Sequence, residues 1–368
     1  MNEKILFLSP LPPPHYGSAM SSQMCLEILQ KSNKFEVKNI KLNYSKNVKD
    51  VGHFNLDKIK GFFIVKKQIK KLIGEFQPDI IYFVPATSGL GLIRDSYFVK
   101  QIKKFSGKKV IFHIRSRITE ESWDKNKKIL IEMLKGKKAI VLDKSLVEDL
   151  HNLIDKKNIY VLPNAIKNEL TQKEIDKILK KRKEKESLEI LFLSNMDESK
   201  GWLKLLLACR ILKNKKIKFK GNFIGAWTRK EDEKKFNSII KEHDLKKEVK
   251  YLGKKVGKEK EKFLENSNVL VFPTEYKLET FGRVIIEAMM FGLPVIANGI
   301  AAIPTIIQHN KTGFILKKNT VQEIADYLEK LQDTKLREKM GYEGRERFLQ
   351  EYEIQKYKTE FLKIIEKV

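Results

Sequence analysis

Two glutamates eight residues apart, Glu279 and Glu287 in ETFGRVIIE, open the question of chemistry in this chain. The segment around them, VLVFPTEYKLETFGRVIIEAMMFGLPVIANG at 269–299, reads as a buried strand at Val269–Phe272, a polar loop, a helix opening near Phe281–Gly282 and a second strand at Pro294–Ala297. A short β-branched apolar run, then helical periodicity, then Gly-Leu-Pro and another apolar run is the pattern of a βαβ unit. Glu279 falls in the loop before the helix, and Glu287 about one and a half turns into it. Backbone N–H groups and the helix dipole converge at such a helix start, so the stretch makes a place for an anion. Lys200, just after another expected strand, and His113, at the end of a third, are the other residues whose type and position suit a reactive cleft.

The elements that must position these residues alternate along the whole chain. Lys4–Pro10 is an amino-terminal strand that runs into LPPPHYGSAM and then a helix from about Ser18 to Gln30. A strand, a loop containing Gly17 and a helix can cradle a phosphate or simply make a tight turn; both readings fit, and the fuller G-x-G-x-x-G pattern is absent. Apolar runs follow at Val37–Ile40, Ile80–Val84, Val110–Ile114, Ala139–Leu142 and Tyr160–Leu162, with helical segments between them at 55–73 and 91–105. After Pro163–Ala165 comes a highly charged stretch, Thr171–Ser187, that reads as a linker or a surface helix at a domain boundary. A second alternation then begins, with strands at Glu189–Leu193, Lys218–Ile224 and Val249–Leu252 and helices at Gly201–Leu212, Arg229–His243 and Lys258–Asn266. The 269–299 unit follows, then a strand at Gly313–Leu316 and helices to the end. The pattern is that of two α/β halves with parallel sheets covered on both faces, which bind ligands at the carboxyl ends of their strands.

Composition narrows the class. A chain of 368 residues with 33% charged and 42% hydrophobic residues is a soluble globular protein of about two domains. Cys25 and Cys209 are its two cysteines, too few and too far apart for a disulfide framework, which points to a reducing compartment. ILFLSPL is too short for the apolar core of a signal peptide, and no apolar run approaches a membrane span, so a cytoplasmic location is expected. The net charge of +27 invites a nucleic-acid partner, but it is spread evenly. Residues 1–165 carry 30 Lys and Arg against 16 Asp and Glu, the remainder 44 against 31, and no nucleic-acid motif accompanies them. In the helix near 55–73, Leu56, Ile59, Phe62, Phe63, Ile69, Leu72 and Ile73 can form one apolar stripe beside Lys58, Lys60, Lys66, Lys67, Lys70 and Lys71. A core-facing helix with a solvated lysine side is the plainer reading, and docking on an anionic membrane is the alternative. There is no P-loop, no H-E-x-x-H, no Cys/His cluster and no nucleophile elbow, and the six histidines are scattered. Glu231–Asp232–Glu233 lies among lysines on a solvated helix face, so no metal site is expected.

What remains resembles the retaining nucleotide-sugar glycosyltransferases of family 4. ETFGRVIIE fits that family's E-x7-E element, and AMMFGLPVIAN its E-A-x-x-x-G-x-P-V-I/V-A stretch. AAIPTII and HNKTGFIL correspond to its G-G-x-P-E and D-G-x-x-G-x-L segments, SNMDESKGW to G-R-x-x-x-x-K-G, and LPNAI to V-I-P-N-G-V. These markers run in order from about residue 160 to 320, and the Pro-rich first loop and FHIRS agree in the other half. The resemblance implies the two-domain GT-B fold, two Rossmann-like domains facing each other across a cleft. Residues 1–167 would be an acceptor-binding domain, 168–345 a donor-binding domain, and 346–368 a helix crossing back.

The resemblance also assigns roles. Lys200 would contact the donor's diphosphate, and the backbone of Thr280, Phe281 and Gly282 would supply N–H donors to it, so that no metal or other cofactor is needed. Glu287 would accept hydrogen bonds from ribose hydroxyls. Glu279 would lie by the transferred sugar, so the two glutamates are not a glycosidase acid/base pair. His113 would approach the donor sugar, and Gly17 would let backbone near the phosphates. Three positions depart from the family: Asn195 stands for its arginine, Thr305 for the glutamate of G-G-x-P-E, and Thr280 for the glycine after the first glutamate. Either another cation, Arg283 or Arg115, replaces that charge, or Asn195 donates neutral hydrogen bonds in its place. The expected function is metal-independent transfer, with retention, of a sugar from a UDP- or GDP-sugar to a hydroxyl of a saccharide or lipid-linked saccharide in envelope or extracellular polysaccharide synthesis. The acceptor would bind near His15, Tyr16 and Gly17, and peripheral contact with an anionic membrane is compatible with the basic surface. The competing readings are a GT-B epimerase or phosphorylase, and a non-catalytic basic protein binding membrane or nucleic acid.

Overall fold

The computed structural model describes residues 2–13, 16–42, 56–106, 109–150 and 153–368, with the side chains of 56–58 and 105–106 excepted; His15 therefore lies outside the described residues. The chain divides into two compact units, Met1–Asn164 with Tyr357–Val368, and Ala165–Lys356.

The first unit holds strands β1 (Glu3–Ser9), β2 (Phe35–Lys41), β3 (Ile80–Phe83), β4 (Lys109–Ile114), β5 (Lys138–Val141) and β6 (Ile159–Val161). They form one parallel sheet in the order β2-β1-β3-β4-β5-β6. The central strands β1, β3, β4 and β5 are mostly buried apolar runs, while edge strand β2 is interrupted by polar residues, and the connecting helices are α1 (Gly17–Gln30), α2 (Leu56–Phe76), α3 (Gly89–Ser106) and α4 (Glu120–Leu134). The strand order reverses between β1 and β3, where a doubly wound sheet opens a crevice at its carboxyl edge.

The second unit carries α5 (Gln172–Lys183), β7 (Leu188–Leu193), α6 (Trp202–Asn214), β8 (Phe219–Ile224), α7 (Lys230–Glu242), β9 (Val249–Tyr251), α8 (Gly257–Asn266), β10 (Val269–Phe272), α9 (Arg283–Met290), β11 (Val295–Asn298), α10 (Ile303–Ile306), β12 (Gly313–Leu316), α11 (Val321–Lys330) and α12 (Thr334–Glu351). Its parallel sheet runs β12-β11-β10-β7-β8-β9, the Rossmann order, with the reversal between β7 and β10. That reversal places the loop after β7, with Lys200, beside the loop after β10, with Glu279. Finally α13 (Ile354–Glu366) brings the chain back, its residues from Tyr357 onward belonging to the first unit.

Two sequence expectations need correction, and one open alternative is decided. The units part at Asn164/Ala165 and rejoin at Tyr357, against the expected 167/168 and 346. Ile166 is already bonded to the Tyr352 carbonyl (3.1 Å), and Arg345 on α12 donates to the carbonyls of Met290 (2.6 Å) and Leu170 (3.0 Å), which ties α12 to the second unit. Of the two readings of the charged stretch after Thr171, the surface helix holds: it is α5, anchored at two positions. Ile175 and Arg182 are buried, and the Arg182 guanidinium donates to the carbonyls of Leu264, Glu265, Phe291 and Gly292. On α2 the buried stripe is Val65, Ile69, Ile73 and Phe76, while Ile59, Phe63 and Ile64 are exposed.

Candidate functional site

Beyond β7 the chain passes through Ser194 and Asn195 into a turn at Glu198–Lys200, started by Asp197, whose carboxylate accepts from the Ser199 N–H at 3.0 Å. Gly201 ends that turn in the left-handed region (φ 87°), and a Cβ there would overlap the Pro273 carbonyl. Gly225 is similarly constrained against the carbonyl of Ser194. The two glycines let the β7 loop lie directly on its neighbours, and the Glu275 N–H donates to the Ser199 carbonyl at 2.7 Å. The loop after β10 is fixed by fully buried Thr274, by Asn298 donating to the Thr274 carbonyl (2.8 Å), and by Asn319 donating to that of Pro273 (3.3 Å).

The outcome is a charged cluster at the carboxyl edge of β7 and β10. Lys200 Nζ lies 2.9 Å from Glu279 Oε2 and 3.8 Å from the centre of the Tyr276 ring, an ion pair with a cation–π contact beneath it. The second oxygen of Glu279 accepts from the Gly282 N–H at 3.1 Å, so this carboxylate caps the start of α9. Gly282 itself is left-handed (φ 75°). The expectation that the Gly282 N–H is open to a ligand is therefore corrected: it is held by Glu279. The Phe281 side chain is buried against Tyr352, and the Thr280 carbonyl accepts from the Ala302 N–H at 3.2 Å. One turn into α9, Glu287 accepts from Lys260 Nζ at 2.8 Å and lies 3.5 Å from Arg283 Nε. Asn195 is exposed beside the β7 end, and Thr305 is exposed on α10. Burial, then the carboxylates of Glu279 and Asp197, hold the Tyr276 hydroxyl above its ordinary pKa.

In the first unit His113, the fifth residue of β4, is completely buried. Its Nδ1 is hydrogen-bonded to the Tyr82 hydroxyl and lies 3.3 Å from Arg115 Nη2, while its Nε2 is buried without a partner among the described residues. Arg115 donates further to Asn164 Oδ1 (3.1 Å) and Cys25 Sγ (3.2 Å), and the Tyr357 hydroxyl of α13 reaches the same sulfur at 3.0 Å. Burial, reinforced by the Arg115 charge, keeps the His113 imidazole well below its usual pKa and hence neutral. Arg115 is thus engaged inside the first unit, whereas Arg283 lies beside Glu287 in the second. Gly17 opens α1, and a Cβ there would meet open space, so the fold itself does not demand a glycine.

Tyr276 and Lys260 were not legible beforehand: one is a tyrosine in a loop, the other a lysine in KEKEKF. A hollow of about 770 Å³ lined by Lys185, Lys218, Lys220 and Glu186 lies at the amino ends of β7 and β8, the opposite edge from Lys200. It holds none of the expected site residues. Among the described residues no group of three or more His, Cys, Asp or Glu gathers as a metal site.

Two Rossmann-like units, one with a charged cluster at its switch point, accord with the GT-B fold of glycosyltransferases. Residues 172–347 match the family of glycosyl transferases group 1, which makes the second unit a glycosyltransferase domain and the protein an enzyme. An uncharacterized 41.2 kDa protein in the cps region of Klebsiella pneumoniae is 29% identical over 284 residues, 74% of either chain. The amylovoran biosynthesis glycosyltransferase AmsK of Erwinia amylovora is 30% identical over 148 residues, 39% of this chain and 36% of its own. The crystal structure of Anabaena HepE in complex with UDP and glucose aligns over 100% of both chains with a TM-score of 0.75 and 15% identity, a likeness of fold.

Proposed function

We propose that this glycosyltransferase works as a retaining, family 4 enzyme, moving a sugar from a nucleoside diphosphate sugar to a hydroxyl of a saccharide or lipid-linked saccharide during surface polysaccharide assembly. The observation that carries this reading is the Lys200–Glu279 pair set over the start of α9 at the β7/β10 switch point. Lys200 leaves Glu279 for the diphosphate, and with Arg283 and the helix dipole it stabilises the departing phosphates, a task that then needs no metal. Glu279, released, accepts from the hydroxyls of the transferred sugar, and Glu287 from those of the ribose. The leaving phosphate oxygen takes the proton of the acceptor hydroxyl as that hydroxyl attacks from the same face. UDP is the favoured nucleotide, in keeping with the UDP held by HepE, and the polysaccharide role with the name of AmsK. Incubation with UDP-, GDP- and ADP-sugars, followed by NMR of the product's anomeric centre, tests it. An inverted product, or a free sugar phosphate, would overturn it.

The same reading includes peripheral contact with an anionic membrane. What supports it is the exposure of Ile59, Phe63 and Ile64 on α2 and of Leu90 and Ile93 on α3, beside exposed Lys60, Lys66, Lys67, Lys70 and Lys71. Among the described residues no helix is long and apolar enough to cross a membrane, so contact is by surface alone. An acceptor carried on a lipid would be met there.

A further inference from the structure

Only one of the two nitrogens of His113 is engaged. Arg115 Nη2, 3.3 Å from Nδ1, can only donate, since a guanidinium has no acceptor. A ring nitrogen that faces it must present a lone pair. The Tyr82 hydroxyl is bonded to that same Nδ1, and burial holds this phenol well above its ordinary pKa, so it keeps the proton it donates. The imidazole proton therefore sits on Nε2, the atom that is buried and has no partner among the described residues. A buried donor without an acceptor is costly and rare in a folded chain unless a ligand completes it.

We infer that Arg115 and Tyr82 are positioning residues that lock His113 in its neutral Nε2–H tautomer, a hydrogen-bond donor reserved for an oxygen of the substrate sugar. The sugar oxygen rests on the function proposed above; the lock does not. The lock draws on four elements. Tyr82 comes from β3 and His113 from β4, Arg115 follows β4 directly, and Cys25 of α1 joins Arg115 to Tyr357 of α13. Tyr82 also meets Phe361 of α13 edge-on at 5.8 Å. The returning helix thus braces the network that orients the histidine.

Long-range proton–nitrogen correlation spectra of the full chain labelled with nitrogen-15 histidine test the lock, with His113 assigned by its loss in His113→Gln. The expected signal is a neutral ring protonated on Nε2 from pH 8 to pH 5.5. A ring protonated on Nδ1, or an imidazolium near neutral pH, would overturn the inference. In Arg115→Met the second tautomer should become populated, and kcat should fall about tenfold, the worth of one hydrogen bond; Tyr82→Phe is the milder variant if that chain does not fold. Lost turnover with an unchanged tautomer would mean a merely structural role and would overturn the positioning claim. His113→Gln, whose amide N–H stands near the place of Nε2–H, should keep more activity than His113→Asn, and the reverse order counts against it. A spectrum as expected in a wild-type chain that transfers no sugar supports the lock and sinks the functional reading alone.

Discussion

Lys200 and Glu279 neutralise one another at 2.9 Å, with both side chains mostly withdrawn from solvent. Each is the other's counter-ion, and on the function proposed above a diphosphate replaces the carboxylate, so that removal of either would alter a contact that strengthens as charge develops on the leaving group. Lys200→Ala and Glu279→Ala should each lower kcat/KM at least ~100-fold, as loss of an electrostatic transition-state contact does. Retention of near wild-type turnover by both would remove the site assignment. Glu287→Ala should act differently if it holds the ribose as proposed, raising KM for the nucleotide sugar about tenfold with kcat little changed, since such contacts would be equal in ground and transition states. His113 makes a pH prediction. Its folded pKa is depressed by burial and Arg115, so below the unfolded value near ~6.5 the unfolded chain binds the extra proton. The stability it contributes is complete above that pH and is lost as pH falls toward the folded value, by at most ~1.4 kcal/mol per pH unit. Between pH 6.5 and pH 5 the melting temperature of His113→Gln should therefore fall less steeply than that of the parent; parallel slopes would place the acid sensitivity elsewhere.

The loops after β7 and β10 meet because glycine occupies the points of closest approach. At Gly201 the left-handed backbone and the Pro273 carbonyl both exclude a side chain, and at Gly225 the Ser194 carbonyl does. Alanine at either position should cost about 1–3 kcal/mol through strain and displaced backbone, visible as a lower denaturant midpoint, and Gly201→Ala should also shift Lys200 and reduce transfer. A midpoint equal to the parent's in both would contradict the packing described. On the other unit, α2 and α3 expose five large apolar side chains beside lysines. The double variant Phe63→Ser, Ile64→Ser should reduce sedimentation with phosphatidylserine vesicles at least several-fold while leaving transfer to a soluble acceptor intact, because apolar insertion and basic attraction act together at such surfaces. Equal sedimentation of parent and variant would free those helices from the membrane.

At the scale of the molecule, the chain is two doubly wound units whose boundary is crossed twice, at Asn164/Ala165 and at Lys356/Tyr357. A ligand that binds only the folded second unit must stabilise that unit by mass action. UDP at a hundred times its Kd should raise the stability of residues 165–356 by about 2.7 kcal/mol, and the shift in melting should disappear in Lys200→Ala. No shift with any nucleoside diphosphate would exclude a nucleotide-sugar donor.

Most of the architecture was legible because hydrophobic period and glycine placement are local properties. Val269–Phe272 and Gly313–Leu316 are strands at the bounds their apolar runs suggested, and the alternation of strand and helix foretold two parallel sheets. The two glutamates and Lys200 were also readable, as parts of ordered motifs. What the sequence left open was pairing. Among 74 lysines and arginines nothing singles out Lys260 for Glu287, 27 positions away, or Arg115 for Cys25, 90 positions away. The exposed face of α2 was misread for a related reason: a helical wheel gives the angle between Phe63 and Val65, but which one faces the core depends on the sheet and on α3. Local sequence set the elements and the candidate charges. Only tertiary structure, by bringing the ends of β7 and β10 together at a reversal in strand order, decided which charges meet, which are spent within the fold and which await a substrate.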